Sequence, residues 1–165
     1  MLKNTTKVKR PDWLKIKLKT DGHFNDIRNL MSKQRLNTVC EEARCPNIYE
    51  CWSRKTATIM ILGDTCTRAC GFCSVKTGKP IMYDEMEPIR TANTVKEMGL
   101  NHVVITSVDR DDLKNDFGAS IWADTISQIH RVAPNCSVEV LTPDFQGHLP
   151  SLKKVFSAEP EIYSH

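Results

Sequence analysis

The sequence is short of the features that would send it to a membrane, a secretory route or a fibre. No apolar run nears the roughly 18 residues of a bilayer span. The longest, Ala57 to Leu62, has the length of one buried strand. The opening MLKNTTKVKR has no apolar stretch of the kind a secretory signal carries. There is no internal repeat and no low-complexity tract. The net charge of +3 is too small to point to nucleic acid. The expected location is the cytoplasm, or an organelle matrix in a eukaryote, with neither a nucleic-acid nor a membrane partner. What the sequence does have is cysteine: seven in 165 residues. Without a secretory signal these argue against a disulfide framework, and their density points to metal.

Charge is unevenly spread. Through Lys19 there are seven Lys or Arg residues against one acid, Asp12. Three readings suit such a segment: a solvated arm, a docking surface for an acidic partner, or a transit peptide, although it is not rich in Arg or Ser. An amphipathic turn is expected around Phe24, Ile27, Leu30 and Met31, and little regular structure over 36–56.

From residue 57 strands and helices alternate. Ala57–Gly63 predicts a buried strand. Ile89, Ala92, Val95 and Met98 predict a helix over Glu87–Met98, stopped by Gly99. His102–Thr106 is β-branched and strand-like. Ile121, Trp122, Thr125, Ile126 and Ile129 share one face of a helix over Ala119–Val132, ahead of Pro134. A strand over Val138–Leu141, a helix over Pro150–Ser157 and a strand from Ile162 complete the pattern. The alternation predicts an α/β fold with parallel strands and right-handed crossovers, half of a (β/α) barrel cut after about four strands. A chain stopping in its fourth strand is expected to be part of a longer protein. Two regions are expected: an N-terminal cysteine-rich extension over 1–56 and an incomplete barrel over 57–165.

Six of the cysteines fall within 34 residues, in two groups. Cys66, Cys70 and Cys73 have x3 then x2 spacing, directly after a predicted strand. Three thiolates can hold three irons of a four-iron cube and leave the fourth open to a substrate. A methionine amino and carboxylate group can chelate that iron, and one electron then cleaves S-adenosylmethionine to a 5′-deoxyadenosyl radical. Gly71 would let the loop turn, and Phe72 offers a ring to adenine. Zinc is the alternative, but it needs a fourth ligand from elsewhere. Cys40, Cys45 and Cys51, spaced x4 then x5, offer a second trio for a cluster, again with zinc as the alternative. Cys136 stands alone and suits a buried structural role, as Trp52 and Trp122 suit the core. His102 and His130 are expected to be structural.

Taken together, the two groups and their surroundings closely resemble lipoyl synthase, a radical S-adenosylmethionine family. The stretches that carry the likeness are RPDWLK (Arg10–Lys15), TVCEEARCPNIYECW (Thr38–Trp52), TATIMILGDTCTRACGFCSVKTGKP (Thr56–Pro80), VVITSVDRDDL (Val103–Leu113), VEVLTPDF (Val138–Phe145) and PEIYSH at the end. They cover the N-terminal half or so of the usual family length.

The resemblance implies insertion of two sulfur atoms, at C6 and C8 of an octanoyl chain held on a lysine of a lipoyl carrier domain. It implies two [4Fe–4S] clusters. Cys66, Cys70 and Cys73 would hold the one that cleaves S-adenosylmethionine, and Cys40, Cys45 and Cys51 an auxiliary one consumed as the sulfur source. Thr106 and Ser107, at the end of the second barrel strand, would bind the methionine amino group, or merely close a strand. Partners would be an octanoylated 2-oxoacid dehydrogenase subunit or glycine-cleavage H protein, and a reduced ferredoxin or flavodoxin. The family's serine ligand to the auxiliary cluster, and an asparagine and a glutamate it uses, would lie beyond His165. The alternatives are a non-catalytic zinc- or cluster-binding module and an inactive portion of the enzyme; a biotin synthase-like enzyme fits the x4–x5 group less well. The polar run Asp109-Arg110-Asp111-Asp112 lies on the edge where strand-end loops build sites, but most of it is expected to be a solvated charge run.

Overall fold

The strand-and-helix alternation appears in the computed structural model, which describes Pro11 and residues 22–34, 36–42, 45–54 and 56–165. The expected basic segment through Lys19 lies, apart from Pro11, outside the described residues. In chain order the elements are α1 (Gly22–Lys33), β1 (Asn37–Thr38), α2 (Val39–Glu42), α3 (Ile48–Ser53), β2 (Thr58–Ile61), β3 (Thr65–Cys66), β4 (Lys76–Thr77), α4 (Glu87–Met98), β5 (His102–Ser107), α5 (Ala119–Val132), β6 (Ser137–Leu141), α6 (Leu149–Phe156) and β7 (Ile162–Ser164).

The main sheet runs β1-β2-β5-β6-β7, and β3 and β4 form a separate parallel pair. β2, β5, β6 and β7 are parallel neighbours, in the order in which the chain makes them. Each crossover carries one helix, and right-handed crossovers in this order stack α4, α5 and α6 on one face. Registered pairs Ile59–Ile105, Val103–Val138 and Ile105–Val140 share that face and are fully buried. They meet Ala92 and Val95 of α4 and Trp122, Ile126 and Ile129 of α5 in one core. Removing each such side chain from water contributes roughly 1.5–3 kcal/mol. The opposite face alternates into polar residues: His102 bonds Ser137 Oγ at 2.7 Å and Glu139 Oε2 at 3.1 Å.

The wholly parallel sheet expected from the pattern is corrected by β1. It pairs antiparallel with β2, Asn37 opposite Met60 and Thr38 opposite Ile59, so the sheet is mixed. The expectation of little regular structure over 36–56 is corrected as well. Thr38 caps α2: its Oγ1 accepts the Glu41 N–H and donates to Glu41 Oε2, both at 3.2 Å. Phe24 of α1 stacks on Tyr49 at 4.8 Å and tilts against Trp52 at 5.1 Å, which anchors α3. Trp52, Trp122 and Cys136 are buried, as expected.

Candidate cluster-binding site

The chain leaves β2 through a strained residue. Leu62 has φ of +69°, a left-handed conformation unfavourable for a branched side chain. Three contacts hold it. Its N–H donates to Glu87 Oε2 at 2.7 Å, and its carbonyl accepts from Arg110 Nη1 at 3.2 Å. Its side chain fills the space above Gly118, where a Cβ would lie 2.6 Å from Leu62 Cδ1. Arg110 is itself buried, at 2% exposure, and clamps Asp112 through two bonds of 2.8 Å. Burial also pushes the Glu87 carboxyl above its ordinary range, despite the Leu62 N–H and nearby Arg90.

Beyond this turn the second cysteine group forms an open loop closed by β3 and β4. Gly78 N–H donates to Cys66 O at 2.9 Å, and Cys73 N–H to Cys70 O at 3.0 Å. Cys66 is half-buried, while Cys70 and Cys73 are exposed. Backbone amides point at two of the sulfurs. Cys66 Sγ accepts from Arg68 N–H at 3.4 Å and Asp109 N–H at 3.3 Å, and Cys73 Sγ from Val75 N–H at 3.5 Å. The Cys66 thiol in turn donates to Asp109 Oδ2 at 3.8 Å, and sulfur met by amide donors suits ligation of a cluster. Gly71 has no positive φ, and a Cβ there would meet open space, so its special freedom is not what turns the loop. Phe72 is 95% exposed.

The loops that follow β5 and β6 converge on the same edge. Arg68, between Cys66 and Cys70, grips Asp111 with bonds of 2.7 and 2.9 Å and Asp144 with bonds of 3.0 and 2.7 Å. The guanidinium holds Asp144 down at about 2 and Asp111 below its ordinary range. Burial raises Asp109, opposed by Arg68. The expected solvated run is therefore corrected: Arg110 is buried under the β2 turn, and Asp111 is committed to Arg68. Thr106 donates its hydroxyl proton to Leu141 O at 3.0 Å, and Ser107 to Val108 O at 2.9 Å. An 850 Å³ groove beside the loop is lined by Gly63, Tyr83, Glu87, Arg90, Arg110 and Leu113, among others.

The first group is built differently. Cys40 sits on α2 and is buried, Cys45 follows it, and Cys51 sits on α3; both are half-buried. Cys45 N–H donates to Cys40 O at 3.0 Å, and Cys51 N–H to Asn47 O at 3.0 Å. Burial pushes the Cys40 thiol up, opposed by the Thr58 backbone and the Trp52 indole, while the Cys45 and Cys51 thiols add to the rise. The Trp52 indole N–H, though buried, makes no hydrogen bond among the described residues, so its influence on Cys40 is a near approach short of a bond. A buried donor without an acceptor fits a site whose sulfur carries charge when ligated. Among the described residues, no three Cys, His, Asp or Glu side chains converge on a single ion.

Residues 1–45 match the family described as N-terminal domain of lipoyl synthase of Radical_SAM family. Among curated relatives, the chain is 56% identical over 157 residues to the lipoyl synthase of Symbiobacterium thermophilum, covering 95% of this chain and 49% of that one. It is 52% identical over 166 residues to that of Oceanobacillus iheyensis, covering 100% of this chain and 52% of that one. The chain belongs to the lipoyl synthase family. It also matches the mitochondrial lipoyl synthase of Nematostella vectensis, 50% identical over 156 residues, with 94% and 53% covered. The chain spans about half the length of the lipoyl synthases it matches. Membership in this family implies iron–sulfur and S-adenosylmethionine chemistry. Among the described residues, no helix is long and apolar enough to cross a membrane.

The spacing of the six cysteines marks them as candidates in the sequence. Leu62 and Glu87 sit in an ordinary strand end and helix start that carry no local sign of their contact. The signal that existed was Arg68 within the cysteine loop, a charge where a spacer would suffice.

Proposed function

We propose that this chain serves the lipoyl synthase reaction, the radical insertion of two sulfur atoms at C6 and C8 of an octanoyl chain on a lysine of a carrier domain. In this reading residues 57–165 belong to a (β/α) barrel of the radical S-adenosylmethionine type, and residues 1–56 to an extension carrying the auxiliary motif. Cys66, Cys70 and Cys73 hold the cluster that meets S-adenosylmethionine. Cys40, Cys45 and Cys51 hold the auxiliary cluster. Cys66, Cys70 and Cys73 would hold a [4Fe–4S] cluster whose chemistry is the one-electron reduction that opens a carbon–sulfur bond of S-adenosylmethionine.

The observation that carries the reading is the set of amide donors on Cys66 and Cys73, in a loop that leaves the C-terminal edge of parallel strands. That edge is where parallel α/β folds keep their chemistry. Thr106 and Ser107 close the next strand. Each has given its proton to a carbonyl, which leaves lone pairs to accept from an ammonium group. Phe72, free of the core, is available to stack on adenine. The carrier would be a 2-oxoacid dehydrogenase subunit or a glycine-cleavage H protein, and the electron donor a reduced ferredoxin or flavodoxin. The cytoplasm, or an organelle matrix in a eukaryote, suits these thiols.

The test begins with anaerobic reconstitution, which should load about eight irons per chain as two thiolate-held clusters. In the longest polypeptide its gene encodes, Cys70→Ala should abolish cleavage of S-adenosylmethionine. Cys45→Ala should spare cleavage and stop sulfur insertion into an octanoylated carrier. Stoichiometric zinc without iron would overturn the reading, and lipoyl product from Cys45→Ala would remove the sacrificial role of the first trio.

A further inference from the structure

Arg68 belongs to the cysteine loop by sequence, yet its side chain reaches away from the sulfurs. Its Nε and Nη2 take both oxygens of Asp111, and its Nη1 and Nη2 take both oxygens of Asp144. Asp109 stands 3.5 Å from Nη1 as a third carboxylate. Asp109 and Asp111 lie on the loop after β5, and Asp144 on the turn after β6. One planar fork thus ties the loop after β2 to the loops after the next two strands of the sheet. Thr67 adds to the tie: its N–H and its Oγ1 each donate to Asp109 O at 3.0 Å, and its Oγ1 accepts the Asp111 N–H at 3.1 Å. In the middle of this seam the Asp109 N–H reaches Cys66 Sγ.

From this arrangement we infer that Arg68 is a positioning residue: by gripping Asp111 and Asp144 together, it fixes the cysteine loop on the strand ends and keeps the Asp109 N–H on the Cys66 sulfur. The consequence for a cluster rests on the function proposed above; the clamp itself is a property of the polypeptide. Single ion pairs at such a half-open place are worth little, but a bidentate network with a shared cation is the exception. Lysine cannot replace it, because a point charge on a flexible stem does not span two carboxylates in a plane. Hydrogen bonds to ligating sulfur stabilise the reduced, more negative cluster, so loss of one lowers the reduction potential.

The experiment is hydrogen–deuterium exchange on the full chain, purified anaerobically, before and after loading with iron and sulfide. It compares wild type with Arg68→Lys, Arg68→Gln and Asp144→Asn. Exchange over 66–78 should rise several-fold in both Arg68 variants and less in Asp144→Asn, with α5 unchanged. In the loaded protein, redox titration followed by paramagnetic resonance should give a lower potential for Arg68→Gln at equal iron content. Wild-type exchange over 66–78 in both Arg68 variants overturns the clamp. A loop-restricted rise with an unchanged potential overturns the part concerning Cys66. If Arg68→Gln loses α5 protection as well, Asp144→Asn decides, since it removes one arm only. A wild type that takes up no iron defeats the cluster reading, while the exchange data still judge the clamp.

Discussion

The two cysteine groups are set into the fold by opposite constructions. The first is set in apolar packing: Cys40 is buried, and the buried Trp52 lies tilted against Phe24. The second stands on an open loop whose outer cysteines are exposed and whose bearings come from backbone amides and a guanidinium. Apolar packing is cooperative, so the first site should fail as a piece of the fold. Polar ties are local, so the second should fail by itself and leave the fold standing.

The sharpest way to break this contrast is Trp52→Ala. Deleting a fully buried indole should cost about 3–5 kcal/mol. Chemical denaturation of the metal-free chain would measure it, and a loss under about 1 kcal/mol would mean the first site is not part of the core.

Glu87→Gln probes the turn that launches the second loop. Glu87 keeps a raised carboxyl pKa in the fold because burial penalises its charge, even with Arg90 near and Asp84 adding repulsion. Folding therefore favours its protonated form. Its contribution is full below the unfolded carboxyl range and is lost as pH rises through the folded pKa. The glutamine keeps an acceptor for the Leu62 N–H without the charge. Thermal unfolding should show the variant more stable than wild type at pH 7 and level with it at pH 4; a wild-type advantage at pH 7 would contradict the assignment.

The smallest effect belongs to Cys70→Ala. An exposed side chain in an open loop should change stability by no more than about 0.5 kcal/mol. Calorimetry would set this beside Cys40→Ala, whose buried thiol should cost about 1 kcal/mol or more. Equal costs would erase the distinction between the two sites.

The elements that were legible in the sequence are those with periodic apolar faces and clear stops. Glu87–Met98 and Ala119–Val132 appear with the expected limits because Gly99, with φ of +60°, ends one and the turn into Pro134 follows the other. β1 has two polar residues and no alternation, so nothing local distinguishes it from a loop. The cap on α2 was written in Thr38 and Glu41, but α2 has only four residues, too few to show a helical period. Both cysteine trios stand out in the sequence by their spacing. The clamp does not, since Arg68 and Asp144 lie 76 positions apart and periodicity carries no trace of so distant a pairing.

β1 also has a bearing on solubility. A parallel sheet that began at β2 would offer a row of free amides and carbonyls to any extended chain passing by. Two residues running the other way occupy that border at Met60 and Ile59. They lead straight into the helix that carries Cys40, so the same few residues that open the first cysteine group also act as a stopper against strand-by-strand growth on that side.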